Sequence, residues 1–213
     1  MSPDSRKIRL IIELRRSGVT DTRVCAAIER IPREHFVPEA LRHQAYENIP
    51  LAIGCEQTMS APIVVGRMTQ ALDLGERMKV LEVGTGSGYQ AAVLSRLCRR
   101  VYTIERHRPL LAEAEAALKS LNISNVSTRS GDGTLGWPEQ APFERIIVTA
   151  AAADVPPVLA EQLAVDGVMV VPIDHGRGES HLLRVRRHAD GLDTEDLGEI
   201  RFVPLIAERG GSG

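Results

Sequence analysis

A glycine-rich turn and three carboxylates are spaced as a nucleoside site would need them. Glu82-Val83-Gly84-Thr85-Gly86-Ser87-Gly88-Tyr89 joins an apolar run, Val80 to Val83, to a helical pattern that starts at Tyr89. Glycines let a backbone turn sharply and approach a ligand closely. Here the third glycine follows the second by two residues, giving GxGxG. A dinucleotide fingerprint places it three residues on, so that a pyrophosphate can rest on the helix N-terminus. Glu82 also sets a negative charge beside the turn, a poor neighbour for phosphate. A cationic ligand without phosphates fits better, and S-adenosylmethionine is one, leaving S-adenosylhomocysteine after transfer. Glu105, followed by Arg106, closes the next apolar run, where an acid can accept hydrogen bonds from ribose hydroxyls. Asp132, inside Gly131-Asp132-Gly133, follows a third run and could accept from an adenine amino group. Taken singly, Gly-Asp-Gly is usually a turn, a strand-end Glu is usually solvated, and GxGxG is a modest signal. Occurring in order, each after a strand, they argue together for a nucleoside site.

A second stretch with chemical potential runs from Pro50 to Pro62 and contains Cys55, Glu56, Gln57, Thr58, Met59 and Ser60. Ser60 can cap the following helix, with Pro62 in its first turn. Its hydroxyl could also orient an anion, which a helix N-terminus attracts. Cys55 reads as a small filler. No His-Asp pair stands near these motifs, so the sequence does not point to a strong general base.

The elements that must position these groups follow from periodicity. Ile8, Ile11 and Ile12 recur at helical spacing until Ser17-Gly18, and Asp21 can cap a second helix that Pro32 stops. Residues 32–62 hold four prolines and little periodicity, which suggests a binding loop or lid. Ala61 to Leu74 reads as a helix ended by Gly75. Beyond Gly75, apolar runs at Val80–Val83, Val101–Ile104, Val126–Arg129, Ile146–Val148 and Val168–Val171 alternate with helical patterns. Such alternation predicts an α/β fold: a doubly wound, mostly parallel sheet with helices on both faces. His181 to Arg187 and Ile200 to Leu205, joined by a polar connection, predict an antiparallel strand pair at its edge. The chain thus divides into a helical region with its loop, residues 1–75, and a ligand-binding domain, residues 76–213. The tail Gly210-Gly211-Ser212-Gly213 is expected to be disordered.

The 213 residues are 43% hydrophobic and 25% charged, an ordinary globular composition, with a formal net charge of -2. No global basic field argues for nucleic acid. Arginine clusters at Arg15-Arg16, Arg99-Arg100 and Arg184 to Arg187 read as solvated ends. Cys25, Cys55 and Cys98 form no CxxC pair and are odd in number, which disfavours a disulfide framework or a zinc site; no metal is expected. The N-terminus lacks an apolar signal segment and no run reaches membrane-span length. A cytoplasmic monomer is expected.

Several of these runs together resemble the protein-L-isoaspartate O-methyltransferase family. They are Ile31-Pro32-Arg33-Glu34-His35-Phe36-Val37, Ile53 to Pro62, Val80 to Tyr89, Ser130 to Gly133, Ala141-Pro142-Phe143, Ile147 to Ala152, and Arg201-Phe202-Val203-Pro204-Leu205. The similarity spans nearly the whole chain in the family's order, and Thr58-x-Ser60-x-Pro62 is its most specific part. The resemblance implies a seven-stranded, Rossmann-like methyltransferase sheet with an N-terminal helical extension. It implies methyl transfer from S-adenosylmethionine to the displaced α-carboxylate of isoaspartyl residues in damaged proteins, which initiates repair. Ser60 takes the active-site role; Gln57, Thr58, Met59 and Ser60 lie across donor and acceptor. Glu82, Gly84, Gly86, Ser87, Gly88, Glu105, Arg106, Asp132 and Gly133 hold the donor. Thr58, Ser60 and Val203 meet the acceptor, and Thr149 to Ala152 are small enough to let the two meet. Glu56 and Asp174 depart from the family pattern where glycine is common. A small-molecule methyltransferase and a non-enzymatic binder of the same ligand remain the rival readings, and a nicotinamide dehydrogenase is a distant third.

Overall fold

Helix α1 (Pro3–Arg16) opens the computed structural model, which describes residues 3–176 and 179–206. Asp21 caps α2 (Thr22–Arg30): its side chain accepts from the backbone N–H groups of Arg23 and Val24, while Val24, Cys25, Ala27 and Ile28 turn inward. After Pro32 come two 3-10 turns, at residues 33–36 and 39–44. The segment expected to be irregular then folds into a hairpin, β1 (Leu51–Gly54) against β2 (Gln57–Met59). Its turn residues, Cys55 and Glu56, both have positive φ, at 49° and 58°. Two left-handed residues make a tight turn that suits the twist of paired strands. The sequence hid this hairpin because its strands are short and neither turn residue is a glycine.

Helix α3 (Pro62–Ala71) follows, with Pro62 in its first turn as expected. Two details differ from the sequence reading. Ala61, not Ser60, occupies the N-cap, and the Ile63 N–H is accepted by the Asn48 side chain at 3.1 Å. The helix also stops at Asp73, which adopts φ 51°, two residues before Gly75.

The main sheet has seven strands in the order β5-β4-β3-β6-β7-β8-β9. Strands β3 (Lys79–Val83), β4 (Arg100–Glu105), β5 (Val126–Ser130), β6 (Phe143–Val148) and β7 (Leu163–Gly176) pair in parallel. Helices α4 (Tyr89–Leu94), α5 (Arg108–Ser120) and α6 (Pro157–Glu161) fill the crossovers. Central strands covered on both faces need apolar residues at every position, and Val80, Leu81, Val83, Ile146, Ile147 and Val148 are all buried. One core cluster runs from Leu10 and Leu14 through Val65 and Met68 to Val80, Leu94 and Ile147, so the helical region and the sheet share an interior.

The C-terminal pair is antiparallel as predicted, but its second strand was misplaced. β8 (Glu179–Arg187) pairs with β9 (Leu192–Ile200), a run rich in acids. As an edge strand β9 exposes most of its side chains to water, so it needed no apolar pattern and read as a connection. The apolar stretch after Ile200 leaves the sheet. It crosses the ends of the central strands as an extended segment, with Ala151 N–H donating to the Val203 carbonyl at 2.8 Å and Leu205 N–H to Ala151 at 2.7 Å. The expectation for the tail at 210–213 lies outside the described residues. Among the described residues no helix is long and apolar enough to cross a membrane.

Candidate active site

At the carboxyl ends of β3 and β4 the backbone does most of the building. Gly84, Gly86 and Gly88 all have positive φ, at 97°, 53° and 85°. At Gly84 a side chain is excluded twice over: the left-handed backbone disfavours it, and a Cβ there would lie 2.3 Å from Thr149 Oγ1. Thr149 uses that closeness, donating to the carbonyls of Val83 and Gly84. Gly133 is constrained by space alone, since a Cβ there would lie 2.5 Å from Val83 Cγ1.

Glu105 anchors the turn. It is buried, and each carboxylate oxygen accepts one backbone N–H, from Gly86 at 2.9 Å and from His107 at 2.8 Å. A carboxylate offers about four acceptor positions, so the side chain is fixed in direction with capacity left for ligand hydroxyls.

An open cleft of about 940 Å³, its solvent-facing mouth included, lies above these strand ends. Among the residues expected from sequence, Gln57, Thr58, Met59, Ser60, Gly84, Gly86, Ser87, Glu105, Arg106, Gly133 and Val203 line it. Glu82, Gly88 and Asp132 do not. Gly88 is the left-handed N-cap of α4. Asp132 accepts from Thr134 N–H and Oγ1, so its carboxylate starts the 3-10 turn that presents Gly133. Glu82 is 0% exposed and lies beneath the turn, accepting from Thr103 Oγ1 at 2.5 Å. Burial lifts its carboxyl from an ordinary 4.5 to about 8, against the Thr103 hydrogen bond and with Glu105 nearby adding to the rise. Glu82 is therefore mostly neutral at pH 7, which corrects the idea that its charge repels phosphate. The geometric argument from the glycine spacing is unaffected.

The opposite wall is assembled from distant segments. The β2 strand brings Gln57, Thr58 and Met59 to the cleft, and Ser60 follows. Because Asn48 caps α3, the Ser60 hydroxyl is not spent on the helix; no hydrogen bond to it is found among the described residues. Residues Val203 to Ile206 form the far rim, and Arg106 ties them down by donating to the Ile206 carbonyl at 3.2 Å. Sequence reasoning missed Met68, Gln90, His107, Leu205 and Ile206 as lining residues. His107 was findable, being two residues past the strand-end acid; Met68 and Gln90 sit on helices whose inward face reads as core.

A family model described as Protein-L-isoaspartate(D-aspartate) O-methyltransferase (PCMT) matches residues 5–210. Proteins called protein-L-isoaspartate O-methyltransferase are 64% identical over 97% of the chain in Rhodospirillum rubrum and 60% over 95% in Paramagnetospirillum magneticum, each match covering 95% of the relative. A solved protein-L-isoaspartate O-methyltransferase superposes with a TM-score of 0.84 at 30% identity; the match covers 93% of this chain and 65% of that one. A structure from Plasmodium falciparum, in complex with S-adenosyl-L-homocysteine, has a TM-score of 0.79 at 23% identity over 93% of this chain and 97% of that one, a likeness of fold.

Proposed function

The chain belongs to the protein-L-isoaspartate(D-aspartate) O-methyltransferase family, and from that membership we propose that Ser60 presents the displaced α-carboxylate of an isoaspartyl residue for methylation in the cleft above β3 and β4. The observation that carries this reading is that Ser60 and Glu105 line one cleft, with the Ser60 hydroxyl left unspent by the helix behind it.

The residues present fit S-adenosylmethionine as the methyl donor. Glu105 keeps acceptor capacity for ribose hydroxyls, the glycine turn admits close approach, and Gly133, packed directly on Val83, lines the cleft with backbone alone. Bound there, the donor supplies a methyl group on a positively charged sulfur, open to attack by an oxygen nucleophile. Glu105, Gly84, Gly86, Ser87 and Gly133 would hold it, while Gln57 to Ser60 separate it from the acceptor. Glu82 and Asp132 support the site from beneath and beside, shaping the turns that touch the ligand.

An isoaspartyl α-carboxylate is ionised near neutral pH, so the protein need not remove a proton. What remains is alignment. The Ser60 hydroxyl donates to one carboxylate oxygen and leaves the other to attack. Thr149 and Ala150 give the small floor over which the reactants meet. Alignment of this sort can contribute up to roughly 7–11 kcal/mol in well-oriented systems. Isoaspartyl-containing proteins are thus the macromolecular partners. The free cysteines fit a reducing, cytoplasmic setting.

The test is Ser60→Ala. Initial rates on an isoaspartyl peptide should fall about 100-fold, the scale of losing one well-placed donor. The affinity for S-adenosylhomocysteine by calorimetry should stay within about twofold. Equal loss of both would reject the orienting role.

A further inference from the structure

Behind the cleft lies a cation that the mechanism above leaves unused. Arg33 is 0% exposed. Its Nη2 donates to the Ser60 carbonyl at 2.7 Å, and its guanidinium carbon sits 4.7 Å from the centre of the Tyr89 ring. Ser60 and Tyr89 both line the cleft, so Arg33 backs two of its wall residues at once. Among the described residues no carboxylate pairs with it. The adjacent acid, Glu34, accepts from the Tyr46 hydroxyl instead. Arg33 Nε and Nη1 and the Tyr89 hydroxyl are buried together with no further partner, and Tyr89 is the neighbour that most favours the cation.

Such an arrangement is costly in a folded interior. Burial pushes the guanidinium pKa down, with only the two tyrosines, Tyr89 and Tyr46, acting against it. Arginine nonetheless remains protonated in proteins, because its ordinary value is so high. Buried charges are normally paired, and an arginine serving only as a brace would gain by a carboxylate neighbour. Here the pairing is left undone directly behind the residue that, on the reading above, receives an anionic group.

We propose that Arg33 is a positioning residue for methyl transfer: it fixes Ser60 through that residue's carbonyl and supplies the positive potential toward which the acceptor carboxylate settles. The inference rests on the assignment of Ser60 as acceptor-orienting residue. It differs from a purely structural role in one respect, that charge as well as shape must matter.

Full rate curves on an isoaspartyl peptide, with calorimetric titration of S-adenosylhomocysteine, separate these roles for the wild type, Arg33→Lys and Arg33→Met. Arg33→Met should lower kcat/KM about 30-fold, through both a lower kcat and a higher peptide KM, on the scale of a charge-assisted hydrogen bond. Arg33→Lys, which keeps charge and donor, should recover to within about fivefold of wild type. S-adenosylhomocysteine affinity should stay within about twofold throughout. Should Arg33→Met fail to fold, Arg33→Gln, with a donor and no charge, takes its place; about tenfold higher activity for Lys than for Gln is then expected. Wild-type kcat/KM in the Met or Gln variant overturns the proposal. So does a Lys variant no more active than the neutral one with product affinity falling in parallel, the pattern of a mere brace. A wild type that binds S-adenosylhomocysteine yet leaves the isoaspartyl peptide unmethylated overturns the substrate reading first, and this inference with it.

Discussion

The two walls of the cleft are built on different principles. The donor wall is local and rigid. Most of its parts follow one another within the β3-α4-β4 unit, its key contacts are backbone hydrogen bonds to Glu105, and Gly84 and Gly133 have no room for a Cβ. The acceptor wall is composite. The hairpin β1-β2 and the Ser60 segment lie far in the chain from residues 203–206, and long-range bonds hold them: Arg33 to the Ser60 carbonyl, Arg106 to the Ile206 carbonyl, and the pair Ala151 to the Val203 carbonyl and Leu205 to the Ala151 carbonyl. The difference teaches where tolerance lies. A ligand common to many enzymes can be held by a packed turn, whereas an acceptor that arrives as part of a protein needs a wall that several segments can adjust.

Substitutions on the donor side should accordingly do the greatest harm. Gly84→Ala places a Cβ 2.3 Å from Thr149 Oγ1 at a left-handed residue. It should cost about 3 kcal/mol, from overpacking and backbone strain together, and product binding should weaken at least tenfold in calorimetry. A variant with near wild-type melting temperature and affinity would break the picture of a rigid donor wall. Next, Glu105→Ala removes the acceptor of the Gly86 and His107 N–H groups as well as the proposed ribose partner. S-adenosylhomocysteine affinity should fall about 10- to 150-fold, consistent with charged hydrogen bonds worth about 1.5–3 kcal/mol. Unchanged affinity would contradict the assignment.

Glu82 sharpens the comparison through pH. Its folded value near 8 lies above the ordinary 4.5. For an acid raised on folding, the stabilisation of the protonated form is fully present below the unfolded value and is lost as pH climbs through the folded one. Wild-type stability should therefore decline between about pH 4.5 and 8 through this group. Glu82→Gln keeps an acceptor for Thr103 and removes the titration. Its melting temperature, relative to wild type, should rise across that window by about 4 °C or more. A constant difference would show that Glu82 does not titrate there. The smallest effect belongs to the acceptor hairpin. Glu56 sits at φ 58° in an exposed turn, where glycine is at ease. Glu56→Gly should stabilise the protein by roughly 0.5–1 kcal/mol, the left-handed strain relieved less the added chain entropy. Activity within about twofold would place Glu56 at the rim; a large change in peptide KM would move it into the acceptor contact.

Legibility in the sequence divides along the same line. The glycine turn and Glu105 could be read because a strand end in a βαβ unit is a local position with one direction. Glu82 was legible as a strand residue but not as a neutral one, since burial on both faces is a property of the whole sheet. The edge strand β9 escaped because water on its exposed side removes any need for apolar alternation. Ser60 was read as a cap because Asn48, a dozen residues earlier in the chain, could not be seen to occupy that place. Arg33 stood in the sequence only as part of the run Ile31 to Val37; packing reveals it as a buried cation. The acceptor wall came through the resemblance of whole motifs, not through residue-by-residue physics.

The most direct measurement uses the wild-type protein and two peptides of one sequence, one with an isoaspartyl linkage and one with the normal aspartyl linkage. Transfer of labelled methyl groups from S-adenosylmethionine should be confined to the isoaspartyl peptide, because on the proposed role of Ser60 only there does a backbone carboxylate meet its hydroxyl. Equal labelling of both, or of neither, would contradict the account.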